Sequence, residues 1–161
     1  MATYTGSPRT WVAGETLTAA LMNSDVRDPL AALLGSANDY VPTLSGFTAG
    51  NGAFVGKYVR AGKLVLFYAS FTFGSTSAAA TTTPALSVPV TGTGVHYTGF
   101  ARFTDASTGN VYEAGWRITT SGITTYTYGG TTAIQAVCTT TSPFTWTTGD
   151  QIIVGGIYEA A

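Results

Sequence analysis

The chain has 161 residues, a mass of 16.6 kDa and a formal net charge of -1, with 9% of residues charged against the usual quarter or so. That length is one domain, or one domain with an appendage, and it can bury a core without metals or disulfides. The charge balance gives no electrostatic reason to bind nucleic acid, no apolar run reaches the roughly 18 residues of a membrane span, and the one cysteine, Cys138, cannot form an internal disulfide.

The first segment, MATYTGSPRTW, lacks the basic-then-apolar pattern of a signal peptide. The expectation is synthesis in the cytoplasm without export. Residues 1–38 then differ from the rest. Good helix formers follow Thr16 and Thr18, either of which suits an N-cap. Leu17, Leu21, Val26, Leu30, Leu33 and Leu34 form an apolar stripe. Asp28-Pro29 interrupts it, because proline has no N–H and restricts the residue before it. The spacing predicts two short helices, over 17–27 and 29–34, with Gly35 as the stop.

Residues 39–161 predict a β domain. Thr is the commonest residue of the chain, with 30 copies beside 20 Gly, a composition suited to pleated strands and turns. Gly50-Asn51-Gly52 reads as a turn before a strand over 54–60, and Ala61-Gly62 as the next turn. The strand over 63–73 is apolar on both faces at its start. Val65, Phe67, Ala69, Phe71 and Phe73 point one way, and Leu64, Leu66 and Tyr68 the other. Residues 74–83 are a loop rich in Ser, Ala and Thr. Further strands are predicted near 85–90, 96–104 and 111–118, the last two joined by a loop over 105–110. In 111–118, Tyr112, Ala114, Trp116 and Ile118 face inward. Strands near 123–128, 132–139 and 151–159 complete the pattern, with Gly129-Gly130 as a turn. Gly155-Gly156 predicts a bulge or the close approach of another backbone. Ile153 and Ile157 on one face of the closing strand, with Ile152, Val154 and Tyr158 on the other, repeat the doubly apolar character. The predicted architecture is mainly β: a helical anchor over 1–38, then an antiparallel, jelly-roll-like β-sandwich over 39–161.

The search for chemistry returns little. His96 sits in a strand context with no Ser- or Cys-based partner motif beside it. Cys138 reads as a small buried hydrophobe. The acids Glu15, Asp25, Asp28, Asp39, Asp105, Glu113, Asp150 and Glu159 are scattered, without metal-ligand spacing. Asp105 and Glu113 lie at opposite ends of a hairpin arm, which disfavours a glycosidase pair. The expectation is no enzyme, no cofactor and no catalytic metal. Tyr126, Tyr128 and Trp146 are the candidates for an aromatic platform that stacks on sugar rings.

Trp11-Val-Ala-Gly-Glu-Thr-Leu-Thr-Ala-Ala-Leu-Met-Asn-Ser-Asp-Val-Arg-Asp28 resembles an N-terminal module of structural proteins from tailed phages, especially those of actinobacterial hosts. The stretch Pro143-Phe-Thr-Trp-Thr-Thr-Gly-Asp150 and the strand after it resemble the last strand of the β-domains such proteins carry. A Gly-Asp turn before a closing strand also occurs in trimeric jelly rolls of the complement-component and tumour-necrosis-factor type. The resemblance implies a virion protein, a capsid decoration, head fibre, tail fibre or minor tail component, displayed as a homotrimer. Trp11, Leu17, Leu21, Val26 and Leu30 are then expected to dock on other virion proteins. Leu64, Leu66, Tyr68, Ile153 and Ile157 are expected at the subunit interface. The alternative is a carbohydrate-binding or host-receptor-binding module of a tail fibre, whose partner is a host surface glycan. Neither reading involves nucleic acid or membrane insertion.

Overall fold

A computed structural model of the chain describes residues 9–35, 37–79, 85–94, 97–118, 122–128 and 135–161. His96, the turn expected at 129–130, and parts of the loop over 74–83 and the strand over 132–139 lie outside the described residues.

The helical segment is one helix, not two. It starts at Thr18, whose Oγ1 accepts the Leu21 N–H at 3.2 Å. It is α-helical over Ala19–Met22, widens to a π-helix over Asn23–Arg27, and returns to α-helix over Asp28–Leu34. The wide turn explains how Pro29 is tolerated. Proline offers no N–H, and in a regular α-helix its ring meets the carbonyl four residues back. Here the Asp28 N–H reaches five residues back, to the Asn23 carbonyl, so the frame shifts just before the ring. Gly35 ends the helix with extended backbone at φ -69 and ψ 170.

The strands are β1 (Asn38–Asp39), β2 (Leu44–Ser45), β3 (Phe47–Thr48), β4 (Ala53–Ala61), β5 (Leu64–Thr72), β6 (Ala78–Ala79), β7 (Ala85–Ser87), β8 (Tyr97–Thr104), β9 (Val111–Ile118), β10 (Gly122–Tyr128), β11 (Gln135–Val137) and β12 (Gln151–Glu159). Mainly β and antiparallel, as the period-two alternation predicts, ten of them form one sheet, nine of these along a single path. Its order is β1-β4-β5-β12-β8-β9-β10-β7-β2, with β11 beside β10; β3 and β6 pair separately. The sheet curls. Its first margin, β1, and its last, β2, are neighbours in sequence, so residues 38–45 bridge the two margins.

Alternation places Val65, Phe67, Ala69 and Phe71 of β5 inside the curl. Ala114, Trp116 and Ile118 of β9 and Ile152, Val154 and Tyr158 of β12 face them in the same core. An aromatic group fills one end, where Trp146 stacks on Phe73 at 5.1 Å and meets Phe47, Phe103 and Phe144. Asp150, fully buried, ties that end together. Its carboxylate accepts N–H bonds from Ala106, at 2.8 Å, and from Thr147. Its carbonyl accepts the Phe73 N–H at 2.9 Å.

Gly155-Gly156 is a correction. There is no bulge against β5; a Cβ on Gly155 would meet the Phe67 carbonyl oxygen of that neighbouring strand at 3.3 Å, and one on Gly156 would meet a side chain. β12 pairs with β5 along its whole length but with β8 only from Gln151 to Val154. Past that point the Trp116 indole fills the gap, and its Nε1–H bonds the Gly155 carbonyl at 2.7 Å. A Cβ on Gly156 would lie 2.3 Å from Trp116 Cζ2, and one on Gly99 would lie 2.4 Å from its Cε2. Both glycines make room for one ring.

Candidate functional site

The outward residues of β4, β5 and β12 form an exposed apolar face. Because the register is antiparallel and unbroken, Val59, Leu66 and Ile157 stand in one row across the three strands. Lys57, Tyr68 and Gly155 form the next row, and Val55, Ser70 and Ile153 the one after. Leu64, Leu66 and Ile157 are each more than half exposed, Val55 and Tyr68 a little less, and Ile153 is half-buried. The row through Gly155 lacks a side chain on β12, which lowers the surface beside Tyr68. A cleft of about 260 Å³ opens over β4 and β5, lined by Ala37, Lys57, Val59, Leu66 and Tyr68.

The cations around this face are engaged. Lys57 Nζ donates to Asp39 at 2.6 Å, Lys63 lies 3.9 Å from Glu159, and Arg60 Nε donates to the Gly62 carbonyl at 2.7 Å. Such exposed pairs hold side chains in place more than they stabilise the fold. Beneath the rim, Tyr158 donates to the Val90 carbonyl at 2.6 Å and accepts the Val90 N–H at 3.1 Å. Burial raises the Tyr158 phenol above its ordinary value. Burial also pushes the Tyr40 phenol far up, with Tyr158 as a second cause. The Tyr40 hydroxyl is enclosed without a hydrogen-bond partner and stands edge-on to Tyr58 at 5.9 Å.

The second exposed apolar surface is on the N-terminal segment. Met22, Val26 and Leu30, spaced by four, are exposed along the helix, as are Trp11, Val12 and Leu17 before it; Leu21 is half-buried. What packs this segment is polar. Arg9 pairs with Glu15 and with Asp25, the latter at 3.5 Å, and lies over the Trp11 ring at 5.4 Å. The helix approaches the sheet where Asp28–Leu34 meets β4. Met22, Val26 and Leu30 therefore stay uncovered by the chain's own described residues. Met22 and Val12 were missed by the sequence reading, although Met22 stands four residues before Val26.

The proposed glycan platform loses Trp146, which is 7% exposed among Phe47, Phe73 and Phe103. Burial of a large ring in the core leaves no face for a sugar. The Tyr126 and Tyr128 side chains lie outside the described residues. Asp105 serves the hairpin turn: its carboxylate accepts from Ser107 Oγ at 2.7 Å and from the Ser107 and Thr108 N–H groups. The Ser107 and Thr108 bonds hold it below the usual carboxylate range. Glu113 is exposed on β9, opposite Arg102. Cys138 is buried and donates to the Ser142 carbonyl at 3.3 Å. Among the described residues no three His, Cys, Asp or Glu side chains gather as metal ligands, and no helix is long and apolar enough to cross a membrane.

What these surfaces offer is adhesion by burial of apolar area. No protein family, curated protein or solved structure matches the chain.

Proposed function

We propose that the chain is a structural protein of a phage virion, a capsid-decoration or fibre component. Its N-terminal segment anchors it to other virion proteins. Its curled sheet, read as a jelly-roll-like sandwich, is displayed outward as a homotrimer. The observation that carries the reading is the pair of exposed apolar surfaces on so weakly charged a chain. Soluble monomers seldom expose contiguous apolar patches of that kind. A protein that spends its life in an assembly buries them instead. The N-terminal resemblance to phage structural proteins falls on the segment whose Trp11, Leu17, Val26 and Leu30 are exposed.

The test is direct. Particles purified from a host that carries the gene are digested, and their peptides are identified by mass spectrometry. The expected result is peptides of this chain in many copies per particle, lost when residues 1–35 are deleted from the gene. Particles complete in their other proteins but without this chain overturn the reading.

A further inference from the structure

We propose that residues 38–40 are a releasable latch on the seam of the curled sheet. They leave β4 about a pivot at Val41 while residues 42–45 stay on β7, and the Tyr40 hydroxyl keeps the closed state only lightly favoured. The inference concerns the fold itself and stands apart from the virion reading above.

Topology supplies the seam. Among the described residues, β1 is the one strand on the outer edge of β4, and β2 the one on the outer edge of β7. Both belong to the same short strap, so the strap is what joins the two margins.

The two halves of the strap are held differently. On the β7 side, Leu44 and Ser45 pair along the strand. Thr43 exchanges two bonds with Ser87, each at 2.9 Å, and Pro42 is fully buried. On the β4 side the ladder is two residues long. It is extended by the Tyr40 N–H, which donates to the Gly56 carbonyl at 3.0 Å. The pair between Lys57 and Asp39 is exposed, and such pairs add little. Between the halves Val41 is 77% exposed, which places the pivot there.

Tyr40 is the moving part. Its ring lies on Gly56, where a Cβ would meet Tyr40 Cε1 and the Tyr40 carbonyl oxygen at 2.6 Å each. The ring buries apolar area and so favours closure. Its hydroxyl acts the other way, enclosed without a hydrogen-bond partner among the described residues. A phenol that bonds water once the strap opens, and bonds nothing while it is shut, favours opening. Tyr158 is the contrast, with its hydroxyl bonded twice to Val90. The helix also reaches the sheet at β4, so it moves with residues 38–40. The N-terminal segment then changes its angle to the sheet without unfolding of the core.

The experiment is hydrogen exchange, read by mass spectrometry on the full chain and on Tyr40→Phe and Gly56→Ala. Residues 38–43 are compared with β5. In the parent, residues 38–43 should exchange faster than β5, because local opening precedes global unfolding. Tyr40→Phe keeps the ring and removes one oxygen, and should slow exchange over 38–43 about fivefold or more. Gly56→Ala displaces the ring, and should leave 38–43 unprotected while β5 stays protected. Exchange of 38–43 in step with β5 in the parent overturns the proposal. So does a smaller change in Tyr40→Phe, or faster exchange there, since the hydroxyl would then not disfavour the closed strap. Loss of β5 protection in Gly56→Ala would make strap and core one unit, and overturns it as well.

Discussion

Replacing Gly156 with Ala tests the way the sheet is closed around Trp116. The new methyl would lie 2.3 Å from Trp116 Cζ2 and 3.2 Å from Cε2. The ring has nowhere to retreat. It is 1% exposed, Gly99 lies against it with no Cβ, and Phe67 stands against it at 5.5 Å. Forcing a methyl into such a core costs about 1–3 kcal/mol. If the indole tilts to escape, the 2.7 Å bond to the Gly155 carbonyl is lost as well, at about 1–3 kcal/mol for a buried acceptor left unmade. With both costs the expected loss is about 2–6 kcal/mol, a large part of the 5–15 kcal/mol that typically holds a domain together. For a domain of this size that lowers the melting temperature by roughly 4–24 °C. Urea denaturation followed by tryptophan fluorescence measures it. The same substitution in a Trp116→Leu background should cost at least about 1 kcal/mol less, since the two positions touch. A Gly156→Ala chain within about 0.5 kcal/mol of the parent, or an equal cost in both backgrounds, would refute the account.

Asp150→Ala should cost about 1.5–3 kcal/mol in the same assay, through the charge-assisted bonds from Ala106 and Thr147. Tyr158→Phe removes both contacts with Val90, should cost about 1–2 kcal/mol, and should speed hydrogen exchange over residues 88–93. Asp105 has a depressed folded pKa, so its stabilising contribution is complete above the unfolded value of about 3.9 and is lost as pH falls through the folded one. Melting temperatures at acid and neutral pH should therefore differ less for Asp105→Asn than for the parent, and equal differences would remove Asp105 from the acid response.

The long strands were legible because each buries one face. β9 and β12 fall at the predicted residues, and β5 within a residue of its predicted ends, since Val65, Phe67, Ala69 and Phe71 alternate with outward neighbours. The exposed face was legible too, from Leu64, Leu66 and Tyr68 opposite that set. Where pairing is set from a distance the sequence is silent. The two-residue strands β1, β2, β3 and β6 carry no periodicity of their own, and their partners lie elsewhere in the chain. Trp146 lies outside the regular strands, so no alternation marks it as core; its neighbours arrive from β3, β8 and the end of β5. The continuity of the helix through Pro29 turns on one wide turn, which no spacing rule anticipates. Gly155-Gly156 signalled a close approach correctly but could not name a ring from β9 as the visitor.

The bridge over residues 38–45 decides how the molecule would respond to force. Tension applied through the N-terminal segment enters the sheet at β1, whose ladder with β4 is only Asn38↔Tyr58 and Asp39↔Lys57. The next bond in line is the Tyr40 N–H to the Gly56 carbonyl. These contacts would peel one after another, lengthening the leash while the core strands carry no load. β12 lies in the middle of the sheet between β5 and β8, so a pull on the other end loads the nine-residue ladder with β5 and, at Gln151–Val154, the ladder with β8 as well. The fold is mechanically polar: it yields by steps from one end and resists as a block from the other.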